Sequence, residues 1–251
     1  MEIIRRFVVV LCAALCVDSA VGQTPPDMDV VRAAITNPAS DYYYESLFER
    51  YEALDSTLTF DDYFHLYYGF AEQVSYMPLL DNTARTELEE ILSGRSTPTV
   101  SDYERAIVLI NTILTIEPFN LRDINALAYV YAMVGDESRA EQLMQRVEVI
   151  AQVIMSTGTG LAEKEPWWII YFAHAEDIVS LLGHTQQGIP IIISKDVELL
   201  SIVKEKGRKQ KGCYFNYSLI YARDADYLEN IDAPKRKMYF NPLNAKPEFK
   251  Y

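Results

Sequence analysis

Apolar residues recur at steps of three and four along most of the first 155 positions, the spacing of helices with one buried face. Phe60, Phe64, Tyr67, Ala71 and Val74 make one such stripe. Thr59, ahead of Asp61 and Asp62, supplies a cap and acidic residues for its first turn. Met77-Pro78 closes the segment, because proline cannot continue the hydrogen-bond ladder. Further helices are predicted near 42–53 and from Thr83 to Leu92, the latter stopped by Ser93-Gly94. At Ser156-Thr157-Gly158-Thr159-Gly160 the character changes. The run Trp167 to Phe172 predicts a strand, Ala175 to Leu182 a helix ended by Gly183, and Ile189 to Ile193 a second strand. A helix is expected from Asp196 to about Glu205. Phe215, Tyr217, Leu219 and Tyr221 alternate with less apolar residues as in a half-exposed strand, and Met238-Tyr239-Phe240 would add an edge.

Superimposed on the helical pattern is a period. Asp102 and Asp136 lie 34 residues apart, as do Ala106 and Ala140, and the apolar positions Ile110, Ile113, Met144 and Val147 follow them. Residues 101–154 therefore resemble tetratricopeptide repeats, in which small residues let two antiparallel helices approach closely. Leu127, Tyr131, Ala140, Met144 and Val147 fit that pattern, Ala128 replaces the usual glycine, and Gln152 stands where a proline belongs. The break at Ser93–Pro98 interrupts any regular array, so the earlier helices must supply the remaining layers in divergent form. The predicted fold is mostly α with a small α+β part: a tetratricopeptide-like antiparallel helical array, then a three- or four-stranded sheet with helices on one face. The expected division is a leader at 1–22, a linker at 23–40, the array at 41–156, the α+β unit at 157–241 and a tail at 242–251.

The runs Tyr42-Tyr43-Tyr44-Glu45-Ser46-Leu47-Phe48-Glu49-Arg50-Tyr51, Leu58 to Phe70 and Gly212-Cys213-Tyr214-Phe215-Asn216 resemble an uncharacterised domain-of-unknown-function family of exported bacterial proteins. The resemblance covers most of 40–222. It implies export and an architecture, and it supplies no catalytic residue.

Composition changes the picture in three ways. Arg5-Arg6, the apolar run Phe7 to Val17, and Ala20 and Gly22 ahead of Gln23 form a secretory signal pattern. A periplasmic or secreted protein is expected, with lipid anchoring at Cys12 or Cys16 disfavoured because each follows a leucine. Beyond that leader one cysteine remains, Cys213, which reads as a small buried residue. No later run is long and apolar enough to span a membrane. The net charge of −13 divides into −18 over residues 23–200 and +5 from residue 201 onward, which argues against nucleic acid as a partner. The basic stretch Lys204–Lys211 reads as a solvated connection. The abundance of tyrosine, 18 in all, is best accommodated in a helical core.

Candidate chemistry is sparse. His65, His174 and His184 sit in no ligand spacing, and His174 and His184 flank a predicted helix where capping or exposure is the ordinary role. Gly158-Thr159-Gly160 with Lys164 lacks the strand before and the Gly-Lys-Ser/Thr of a phosphate loop, so it reads as a hinge. No catalytic residue, metal site or cofactor motif emerges. The leading expectation is a non-enzymatic module binding an envelope protein or peptide. On the repeat resemblance the groove positions fall on Arg122, Asn125 and Tyr129, suited to a carboxylate, a peptide backbone and a side chain respectively. The alternative is an envelope hydrolase or ligand-binding enzyme with its site at the junction near Ser156–Gly160.

Overall fold

The computed structural model describes residues 23–80, 83–93, 97–205, 207 and 210–223. The signal pattern, the edge at Met238–Phe240 and the tail at 242–251 lie outside the described residues.

Helices occupy most of the chain to residue 155: α1 (Met28–Thr36), α2 (Tyr44–Glu52), α3 (Phe60–Phe70), α4 (Ala84–Leu92), α5 (Val100–Ile116), α6 (Leu121–Met133) and α7 (Glu137–Met155). Their starts follow local chemistry. Thr59 and Thr99 each form a reciprocal capping box, with Asp62 and Asp102 respectively. Asp27, Asn120 and Asp136 cap α1, α6 and α7 through side-chain oxygens that accept first-turn amides. Connections of a few residues fold α5, α6 and α7 back on one another. Ala106 and Ala140, the period-matched alanines, are both buried.

The tyrosine-rich helix is shorter than its apolar stripe implies. α3 ends at Phe70, and Val74 is 84% exposed. The chain turns there because Tyr76 folds inward, fully buried, while Arg223 Nε and Nη2 donate to the carbonyls of Tyr76 and Val74.

After Met155 the chain forms β1 (Trp167–Trp168), α8 (Ala173–Leu181), β2 (Ile191–Ile192), β3 (Val197–Ser201) and β4 (Gly212–Asn216). The sheet order is β1-β4-β3-β2, with β1 parallel to β4 and the other pairs antiparallel. The protein is thus mostly α with a small α+β part.

Three sequence expectations need correction here. Residues 196–205 are not helical: β3 lies between β2 and β4, and pairing on both edges overrides the helix preference of Glu198-Leu199-Leu200. The strand expected from Phe215 to Tyr221 stops at Asn216, whose Oδ1 accepts from the Ser218 amide and hydroxyl, and residues 218–223 become helical. The strand expected from Trp167 to Phe172 is only two residues long, because tyrosine hydroxyls replace ladder partners. Tyr68 Oη donates to Trp168 O at 3.0 Å, Tyr76 Oη donates to Ile170 O at 2.6 Å, and the Ile170 amide donates to Tyr67 Oη at 3.2 Å. Buried backbone groups need partners of some kind, and phenols from the helical part supply them.

Those contacts cross the change in secondary structure. Buried side chains from Val31 to Ile220 form one continuous cluster, and Tyr67, Tyr68, Tyr76 and Phe119 lie at its fully buried centre.

Candidate functional site

The candidate binding residues stand on α6. Its inward positions Leu121, Ile124, Leu127, Ala128 and Val130 are buried. Arg122, Asn125 and Tyr129, spaced by three and four, share the outward face.

Their circumstances differ. Arg122 is committed within the chain: Nε and Nη2 donate to Asp177 Oδ1 at 3.1 and 2.9 Å, and Nη2 reaches Glu176 Oε2 at 3.2 Å. It therefore ties α6 to the start of α8. Burial raises the Asp177 carboxyl to about 6 against the opposing pull of Arg122. Asn125 is exposed, and its side chain makes no hydrogen bond among the described residues. Tyr129 is 38% exposed and meets Tyr103 of α5 edge-on, with ring centroids 6.3 Å apart. One turn further, Met133 is also exposed.

The junction near Ser156–Gly160 is closely packed. Trp167 Nε1 donates to Gly158 O at 2.9 Å, and the Trp168 amide donates to Thr157 Oγ1 at 2.9 Å. The Gly160 amide and carbonyl bond Glu165 O and the Tyr214 amide. A β-carbon on Gly158 would lie 2.5 Å from the carbonyl oxygens of Glu165 and Pro166, and one on Gly160 would lie 2.5 Å from the Trp167 ring. The glycines are there to admit backbone and indole.

The histidines divide. His65 Nδ1 donates to Asp61 O at 2.8 Å and its ring stacks on Tyr42 at 3.8 Å, a local helical arrangement. His174 overturns the expectation of a cap or an exposed residue: it is fully buried in the first turn of α8. Its Nε2 lies 3.0 Å from Phe119 O and its Nδ1 lies 2.7 Å from Tyr67 Oη. A carbonyl can only accept, so Nε2 carries the proton and Nδ1 accepts from Tyr67. Burial lowers the imidazole to about 3, and it stays neutral.

Two arginines escape sequence reasoning. Arg85 of α4 bridges Glu117 and Asp123, with Nη2 2.8 Å from Glu117 Oε2 and Nη1 3.0 Å from Asp123 Oδ1. Arg146 of α7 is buried against the Tyr51 ring, 3.6 Å from its centroid, and donates through Nη2 to Tyr51 O. Contacts separated by 95 residues leave no local trace in the sequence. Cys213 is buried as expected, and burial pushes its thiol up to about 11. Among the described residues, no cluster of three His, Cys, Asp or Glu side chains is arranged to hold a metal ion, and no helix is long and apolar enough to cross a membrane.

The described residues thus define a helical protein with a small mixed sheet, in which tyrosine hydroxyls and Arg122 of the helical part bond across to the segment after Met155, His174 included. Residues 29–225 match the model of a family described as a domain of unknown function, DUF4919, and the chain belongs to that family. No curated protein and no solved structure matches the chain.

Proposed function

We propose that this member of the family is a non-enzymatic binding module of the bacterial cell envelope that takes a protein or peptide on the outward face of α6. The observation behind this reading is the pairing of Asn125 and Tyr129 on a rigid, well-capped helix. The Asn125 amide has an uncommitted donor and acceptor, and the Tyr129 phenol presents an amphipathic surface beside it. Reading α5 to α7 as a tetratricopeptide-like stack makes α6 a helix that lines a concave side. Arg122 then bounds the face, holding α8 in place while its charge is shared with Asp177 and Glu176.

The test separates recognition from scaffolding. An Asn125→Ala/Tyr129→Ala double variant is expected to melt as the wild type does and to lose partners that the wild type captures from envelope extract. Arg122→Ala is expected to lower stability as well, since it strands the buried Asp177 carboxylate. A double variant that folds normally and still captures every wild-type partner refutes the α6 assignment. Export is checked by fractionation of the full chain and by sequencing the mature N-terminus, for which Gln23 is expected.

A further inference from the structure

A cleft of about 100 Å³ opens between α7 and the segment after α2. Leu54, Asp55, Ser56, Leu58, Tyr63 and Arg146 contribute to its lining, together with Gln142, Gln145 and Val149 of α7. What sets it apart is the state of Arg146. The half-buried Arg85 is compensated by Glu117 and Asp123, and even the exposed Arg122 has Asp177 and Glu176. Arg146 has no carboxylate partner among the described residues, although it is only 8% exposed. Its Nη2 takes Tyr51 O, its Nε is buried without an acceptor, and its Nη1 makes no hydrogen bond among the described residues.

A buried guanidinium held only by a carbonyl and a ring face is costly, and a bound anion would relieve it. Asp55 does not serve. Its carboxylate accepts from Thr57 N and Oγ1 and from Arg50 Nε, and these bonds hold it low, to about 2.

We propose that this cleft is a binding site for a monocarboxylate with a short aliphatic stem, its carboxylate meeting Arg146. The size fits a head group and a few carbons, since sites for larger cofactors run to roughly 300–1,000 Å³. Leu54, Leu58 and Val149 offer apolar contact to the stem, and Ser56, Gln142 and Gln145 offer polar contact to the head. The ionised Asp55 at the same cleft disfavours a doubly charged phosphate. The site is independent of the α6 face, so either assignment stands or falls without the other.

The experiment is a titration of the full mature chain with sodium butyrate, butyramide and sodium phosphate at constant ionic strength, followed by NMR of the Gln142 and Gln145 side-chain amides. Butyrate is expected to shift these signals saturably, with a dissociation constant on the order of 1 mM, while butyramide leaves them unmoved. Arg146→Lys, which keeps the charge but loses the planar fork, is expected to weaken butyrate about tenfold. If that variant does not fold, the wild-type comparison of butyrate with butyramide decides the matter alone. The proposal is overturned by no saturable shift up to about 50 mM. It is equally overturned by butyramide matching butyrate, by phosphate binding more tightly than butyrate, or by a folded Arg146→Lys variant that binds unchanged.

Discussion

Acidification should reveal the buried His174. The imidazole titrates near 6.5 when unfolded and at about 3 in the fold, so the folded protein resists protonation across roughly three and a half pH units. The sign follows from linkage. A depressed basic group gives stability that is complete above pH 6.5 and is lost as pH falls toward 3. At about 1.4 kcal/mol per unit the whole loss is about 5 kcal/mol, as large as the net stability of many domains. Asp177 opposes it. Its carboxyl is raised from 3.8 to about 6, so its contribution is complete below 3.8 and is lost as pH rises through 6. Near pH 5 the two slopes nearly cancel, so His174 and Asp177 together add little slope to the wild-type profile between pH 6 and 4. In His174→Gln a neutral amide can still donate toward Phe119 O, and its constant cost drops out of a slope. That variant should gain about 1 kcal/mol of stability per unit of acidification across this window. The assay is urea unfolding at half-unit pH intervals with both proteins. Equal slopes for the two would refute the reasoning, as would an NMR midpoint near 6.5 for the His174 ring.

The companion variant Asp177→Asn should do the opposite, losing stability from pH 6 to 4 by about 1 kcal/mol per unit, measured in the same way. Tyr76→Phe removes a 2.6 Å donor from the buried Ile170 carbonyl and should cost about 1–3 kcal/mol with an unchanged denaturant slope, read by urea unfolding. Gly158→Ala should cost about 1–3 kcal/mol by calorimetry, since its β-carbon meets two backbone oxygens that cannot move aside. Thr99→Ala dismantles the α5 capping box and should cost about 0.5–2 kcal/mol, with faster amide exchange in the first turn of α5 as the local signature.

The helices from Tyr44 to Met155 are legible in the sequence because their signals are local. Thr59 lies three residues before Asp62 and Thr99 three before Asp102, and the apolar stripes repeat within one or two turns. The sheet is less legible because its determinants are distant. Nothing within residues 196–205 announces that β2 and β4 will flank Val197–Ser201, and nothing near Trp168 announces tyrosines a hundred residues earlier. The α6 face follows the helical period, so its outward positions can be read directly, but the commitment of Arg122 to α8 cannot. His174 and Arg146 look ordinary in sequence, and burial by elements far along the chain gives them their character.

The phenol bridges from α3 and Tyr76 also bear on how the chain can be made. The helix that carries Tyr67 and Tyr68, and the turn that carries Tyr76, leave the ribosome about a hundred residues ahead of Trp168, Ile170 and His174. Until those partners arrive, the nascent helices present a broad aromatic face whose hydroxyls have only water to bond, a state that invites association with other chains. A truncation ending after α7 would hold that state permanently. The segment from Trp167 to His174 thus acts as an internal cover for the helices, and chains cut short before it are expected to depend on chaperones or to aggregate.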